Sequence, residues 1–111
     1  MVGSTIILNL GNNNRLTEEQ VAAIFAEIAE QPQIIVVNTA VPRGWRDENN
    51  QLIAKYANQY GARLIDWAAI SQNHPEYFGP DGVHLVPAGV RAYVDAITAQ
   101  LPTSTQVISG Q

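Results

Sequence analysis

Ile34-Ile-Val-Val-Asn38 is a β-branched run with no polar position in its first four residues. A strand with one wet face alternates apolar and polar side chains, so a run apolar on both faces predicts a strand covered by helices on either side. Upstream, Thr17-Glu-Glu-Gln20 has the form of a capping box, and Val21, Ile24, Phe25 and Ile28 follow at helical spacing until Gln31-Pro32 stops the helix. Further upstream, Thr5-Ile-Ile-Leu-Asn-Leu10 reads as another buried strand, ended by the polar turn Gly11-Asn-Asn-Asn14.

The same rhythm continues downstream. A loop broken by Pro42 and Gly44 leads to Asp47 as the expected cap of a second helix, with Leu52, Ile53, Tyr56, Ala57 and Tyr60 forming its apolar stripe up to Gly61. Ala62 to Trp67 reads as a third strand, and a long loop from about Ser71 to Val86 follows. A third helix is expected from Pro87, with Val90, Tyr93, Val94, Ile97 and Leu101 on one face. Residues 1–101 thus form the predicted domain, and 102–111, rich in Ser, Thr and Gln, a flexible tail. The order β-α-β-α-β-α argues for a three-layer α/β/α fold with a parallel sheet. In such folds ligands sit beyond the carboxyl ends of the strands.

Composition narrows the function. The 111 residues carry six Lys and Arg against ten Asp and Glu, a formal net charge of −4 with no basic run. Nucleic acid is therefore excluded as an expected partner, because phosphate binding needs a cationic stripe. With 46% hydrophobic and 14% charged residues the chain falls among globular domains and outside the disordered class. The absence of cysteine excludes disulfides, thiolate catalysis and thiolate metal sites. No apolar run reaches the length of a membrane span, and the opening residues lack the pattern of a secretory signal.

Asp81-Gly-Val-His84 is the pattern with most chemistry in it. A carboxylate three residues before a histidine can accept from one ring nitrogen and leave the other facing a hydroxyl nucleophile. Asp81-Gly82 is equally a turn signal, with His84 then a surface histidine. Asn13 can offer a side-chain N–H to a developing oxyanion, with Gly11 letting the chain turn tightly; the same residues also suit an Asn-rich turn. Arg43 and Trp45 are candidates for lining a sugar groove, or for anchoring a surface loop through a buried indole. Asp66 is read as hydrogen-bonding a loop or capping a short turn, in preference to a catalytic role. His74, Asp81 and His84 lack metal-ligand spacing, so no metal is expected, and no cofactor.

Gly11-Asn-Asn13 after an apolar strand, together with Phe78-Gly-Pro-Asp-Gly-Val-His-Leu-Val-Pro-Ala-Gly89, resembles the third and last sequence blocks of the SGNH hydrolase superfamily. Val37 to Trp45, Asp66-Trp67 and the Asp-Gly-Val-His-Leu stretch look most like the extracytoplasmic SGNH domains of bacterial membrane acyltransferases, including peptidoglycan O-acetyltransferases. The resemblance covers about residues 5 to 101. It implies a flavodoxin-like sheet of five parallel strands ordered 2-1-3-4-5, of which this sequence supplies the last three strands and their helices. It implies His84 as general base, Asp81 as its orienting acid, and Asn13 with Gly11 in the oxyanion hole.

The resemblance also implies a serine nucleophile in a Gly-Asp-Ser block, and no such block is present. Serine occurs at positions 4, 71, 104 and 109, none of them in a turn that follows the first strand. The expectation is therefore the C-terminal portion of a serine esterase or O-acyltransferase acting on O-acetyl groups of cell-wall carbohydrate outside the cytoplasm, inactive by itself. The edge of the Thr5 to Leu10 strand is expected to be open, ready to pair with another chain. The alternative is a non-catalytic module that binds glycan or completes a partner's sheet.

Overall fold

The computed structural model describes residues 4–101 and 106–110. Strands β1 (Ser4–Asn9), β2 (Gln33–Val37), β3 (Arg63–Ile65) and β4 (Gln106–Gly110) form one parallel sheet in the order β3-β2-β1-β4. Helices α1 (Glu18–Ile28), α2 (Arg46–Gln59), α3 (Trp67–Ile70) and α4 (Pro87–Thr98), with a 3₁₀ turn over Pro75–Tyr77, make the crossovers. The expected α/β class is what the structure shows.

Alternation along β2 divides its side chains between two cores. Val36 joins Leu8, Val21, Phe25, Ile53 and Tyr56 beneath α1 and α2. Ile35 and Val37 join Ile65 and Trp67 on the opposite face, where Tyr93, Ala96 and Ile97 of α4 close the layer. Every β2 residue from Ile34 to Val37 is buried, which is why none is polar. The capping box forms as predicted: Thr17 Oγ1 accepts from Gln20 N–H, and Gln20 Oε1 accepts from Thr17 N–H. Glu18 then meets Lys55 and the Tyr56 hydroxyl, tying α1 to α2.

Five expectations change. Asp47 does not cap α2; Trp45 holds that position and Asp47 lies in the first turn. β3 is shorter than Ala62 to Trp67, because Asp66 accepts from Ala69 N–H and starts α3, the short-turn cap expected of it. On α4, Val90 and Val94 are about half exposed, while Gly89, Ala92, Tyr93 and Ala96 turn inward. Residues 106–110 form β4 where a tail was expected; the rest of that segment, 102–105 and 111, lies outside the described residues. β4 pairs with β1 in parallel from Ser4↔Gln106 to Leu8↔Gly110, so the β1 edge expected to be open is occupied.

Candidate active site

Asn9, Val37 and Ile65 stand in register across three strands, so the chain leaves β1, β2 and β3 at one level. Adjacent strands lie about 4.8 Å apart, which starts the loops after β1 and β3 about 10 Å from each other. Carboxamides and carboxylates fix these exits. Asn38 Nδ2 donates to Asp66 Oδ1 (2.9 Å) and Asn38 Oδ1 accepts from Ala68 N–H (3.0 Å). Asn9 Nδ2 donates to the Tyr93 hydroxyl (2.6 Å), and Asn9 Oδ1 accepts from Asn12 Nδ2 (2.8 Å).

Asp81 and His84 sit in a loop pinched at its base. Phe78 and Leu85 form an antiparallel bridge, Gly79 N–H donates to His84 O (2.8 Å), and Val86 N–H donates to Tyr77 O (3.0 Å). Gly82 permits the turn with φ of 71°. Within it, Asp81 Oδ1 accepts from the backbone N–H of Val83 (2.9 Å) and of His84 (3.0 Å), while Oδ2 pairs with His84 Nδ1. The Val83 N–H, then the His84 ring, then the His84 N–H hold the Asp81 carboxyl well below the usual carboxylate range. An ionised carboxylate can only accept, so His84 donates from Nδ1, and in the neutral imidazole this tautomer puts the lone pair on Nε2. The His84 side chain is 86% exposed, leaving that nitrogen accessible. The turn and the Asp–His contact, alternatives on sequence alone, coexist in one carboxylate.

Gly11 is buried with φ of 89°, and Asn13 beyond it is exposed. The loop Leu10 to Leu16 borders a hollow of about 590 Å³ shared with Gln20, Ala23 and Ile24 of α1. A second hollow, of about 840 Å³, opens between the β2–α2 loop and the segment after β3, with Pro42, Arg46, Asp47, Asn73, Phe78 and Gly82 among its walls. Arg43 and Trp45 line neither hollow; the Arg43 guanidinium donates to Pro42 O. Ser71, at the wall of the larger hollow, is buried and its hydroxyl donates to Trp67 O (2.7 Å). His74 is stacked on Tyr77 and paired with Glu76. Among the described residues no three His, Asp or Glu side chains gather as a metal site would require. No helix among them is long and apolar enough to cross a membrane.

The chain is similar to bacterial O-acetyltransferases. It is 41% identical over 96 residues to the peptidoglycan O-acetyltransferase OatA of Listeria monocytogenes, across 86% of this chain and 15% of that protein. It is 38% identical over 87 residues to YrhL of Bacillus subtilis, named as a candidate peptidoglycan O-acetyltransferase, across 78% of this chain and 14% of that protein. A candidate O-acetyltransferase of Staphylococcus aureus is 40% identical over 97 residues, across 86% of this chain and 16% of its own length. The chain thus spans about one seventh of the length of these relatives. No family model matches it.

The loop-holding roles of Asn9 and Asn38 carry no mark in the sequence, and Tyr93 reads there only as part of the apolar face of the third helix. The available signal is an asparagine in or beside an apolar strand, as in Ile-Leu-Asn9-Leu and Val-Val-Asn38.

Proposed function

We propose that this chain carries the base and oxyanion side of an SGNH-type serine acyltransferase. It acts on O-acetyl groups of cell-wall carbohydrate on the extracytoplasmic side, with the nucleophilic serine supplied from outside this sequence. The observation that carries the reading is the Asp81–His84 pair, oriented through Nδ1 and open at Nε2. Similarity to proteins named for peptidoglycan O-acetylation supports the acetyl group and the wall.

In the proposed reaction the serine oxygen attacks the acyl carbonyl carbon as His84 Nε2 takes the hydroxyl proton. The carbonyl electrons move onto oxygen, where the Asn13 side-chain N–H and the turn at Gly11 stabilise them. Collapse expels the donor alcohol, which leaves with the proton from His84. A sugar hydroxyl then gives its proton to His84 and attacks the acyl-serine, and the serine oxygen leaves as a hydroxyl with the proton that His84 returns to it. Transfer and hydrolysis differ only in whether sugar or water makes that second attack. The hollow beside Gly79, Pro80 and Gly82 is the acceptor groove in this reading, with Arg46 and Asp47 at its wall.

The 111-residue chain by itself is expected to turn over p-nitrophenyl acetate no faster than buffer. Turnover that His84→Ala abolishes would overturn the assignment of the nucleophile to another segment. Where a Gly-Asp-Ser block is encoded in frame upstream, His84→Ala in that longer polypeptide should lower kcat by about 10³-fold or more. An undiminished kcat would sink the base assignment.

A further inference from the structure

We propose that Asn49 is the positioning residue of the oxyanion loop, holding residues 11 to 16 in the shape that presents Asn13; this rests on the role proposed for Asn13 above. Asn49 lies in the first turn of α2 and is fully buried. Its side chain makes no bond to its own helix. Nδ2 donates to Gly11 O (3.2 Å) and to Asn14 O (2.9 Å), and Oδ1 accepts from Leu16 N–H (2.8 Å). One carboxamide thereby satisfies three backbone groups on both sides of Asn13, groups that would otherwise be costly to bury.

The fit is mutual. A Cβ on Gly11 would lie 3.3 Å from Asn49 Nδ2 and 3.2 Å from Thr39 Cγ2, so the positive φ and the close approach both call for glycine. The loop's other side is tied through Asn12 and Asn9 to Tyr93, leaving Asn13 exposed between two anchored flanks. No other residue type replaces the clamp. Aspartate would set a carboxylate oxygen against two carbonyl oxygens, leucine would leave all three backbone groups unpaired, and glutamine carries one methylene too many for the space.

Two measurements test the assignment. In the 111-residue chain, Asn49→Ala and the milder Asn49→Ser are followed by amide hydrogen exchange. Loss of protection at Leu16 N–H, with protection retained in β2, is expected; unchanged protection at Leu16 would overturn the clamp. In a polypeptide carrying the nucleophile, Asn13→Ala should lower kcat by about 10²-fold. Asn49→Ser should lower it by about 10-fold with KM unchanged, and the double variant should be no worse than Asn13→Ala alone. Multiplying effects would show that Asn49 acts on folding instead of through Asn13, and overturn the proposal. An Asn13→Ala variant with full kcat would refute the oxyanion role itself, while the exchange result would still report whether the clamp exists.

Discussion

Replacing Gly89 with alanine should destabilise the protein, although alanine is the better helix former. Gly89 is the third residue of α4, and a Cβ there would lie 2.1 Å from the carbonyl oxygen of Tyr77, 2.9 Å from its carbon and 3.0 Å from Leu85 Cδ2. An ordinary carbon–oxygen contact is about 3.3 Å, so α4 and the 3₁₀ turn must part by about 1 Å. The Tyr77 oxygen is also the acceptor for Val86 N–H, which ties the first turn of α4 to that segment. Alanine contributes about 1 kcal/mol of helix propensity. Overpacking against a rigid backbone costs about 1–3 kcal/mol, and a weakened buried hydrogen bond about 1 kcal/mol more. The net is a loss of about 1–3 kcal/mol, or a Tm lower by roughly 5 to 20 °C in a domain of this size. Circular dichroism melting and the urea midpoint at constant slope would measure it. An alanine variant as stable as the parent, or more so, would refute the reasoning, since propensity alone would then decide. The same contact bears on the site: the loop with Asp81 and His84 runs between Tyr77 and Val86.

Two other outcomes follow from local geometry. Thr17→Ala removes one half of the reciprocal capping box and should cost about 1 kcal/mol of stability, read as a lower urea midpoint; a midpoint unchanged within error would show that packing of α1 carries its first turn alone. The Asp81 carboxyl is depressed in the folded chain, so what its ionised form contributes is present above the unfolded value of about 3.9 and is lost as pH falls below it. Carbon NMR titration of Asp81 should place its midpoint under that value, with the amides of Val83 and His84 shifting together; a midpoint at or above about 3.9 would remove the proposed hold on His84.

What the sequence disclosed was what local chemistry decides. The capping box, the buried β2 run and Pro87 at the head of α4 are signals contained within a few residues, and all three form as read. The Asp81–His84 pair belongs with them, because three residues of separation inside one turn leave the carboxylate few other partners. Failures began where two local forces compete. Ala62 to Trp67 has a strand's composition, yet the Asp66 side chain offers Ala69 N–H a better partner than a ladder would, and β3 ends.

The remaining differences come from contacts far apart in the chain. Helical spacing on α4 admits two stripes, and the choice falls to Gly89, whose lack of a Cβ lets the helix lie against Tyr77 and turns Ala92 and Tyr93 to the sheet, with Val90 and Val94 outward. Asn49 reads as an ordinary polar residue of a helix until the loop 35 residues away that it holds is in view. Asn9 and Tyr93 are separated by 84 residues. The site is thus legible where one turn builds it and silent where three segments do. The proposed oxyanion side divides between the two: Asn13 is marked in the sequence, but the helix and the strand end that place it carry no sign of it in their own sequence. That is why Asn49, a residue that touches no reacting atom, is the sharper test of whether the loop is built for catalysis or is simply a turn rich in asparagine.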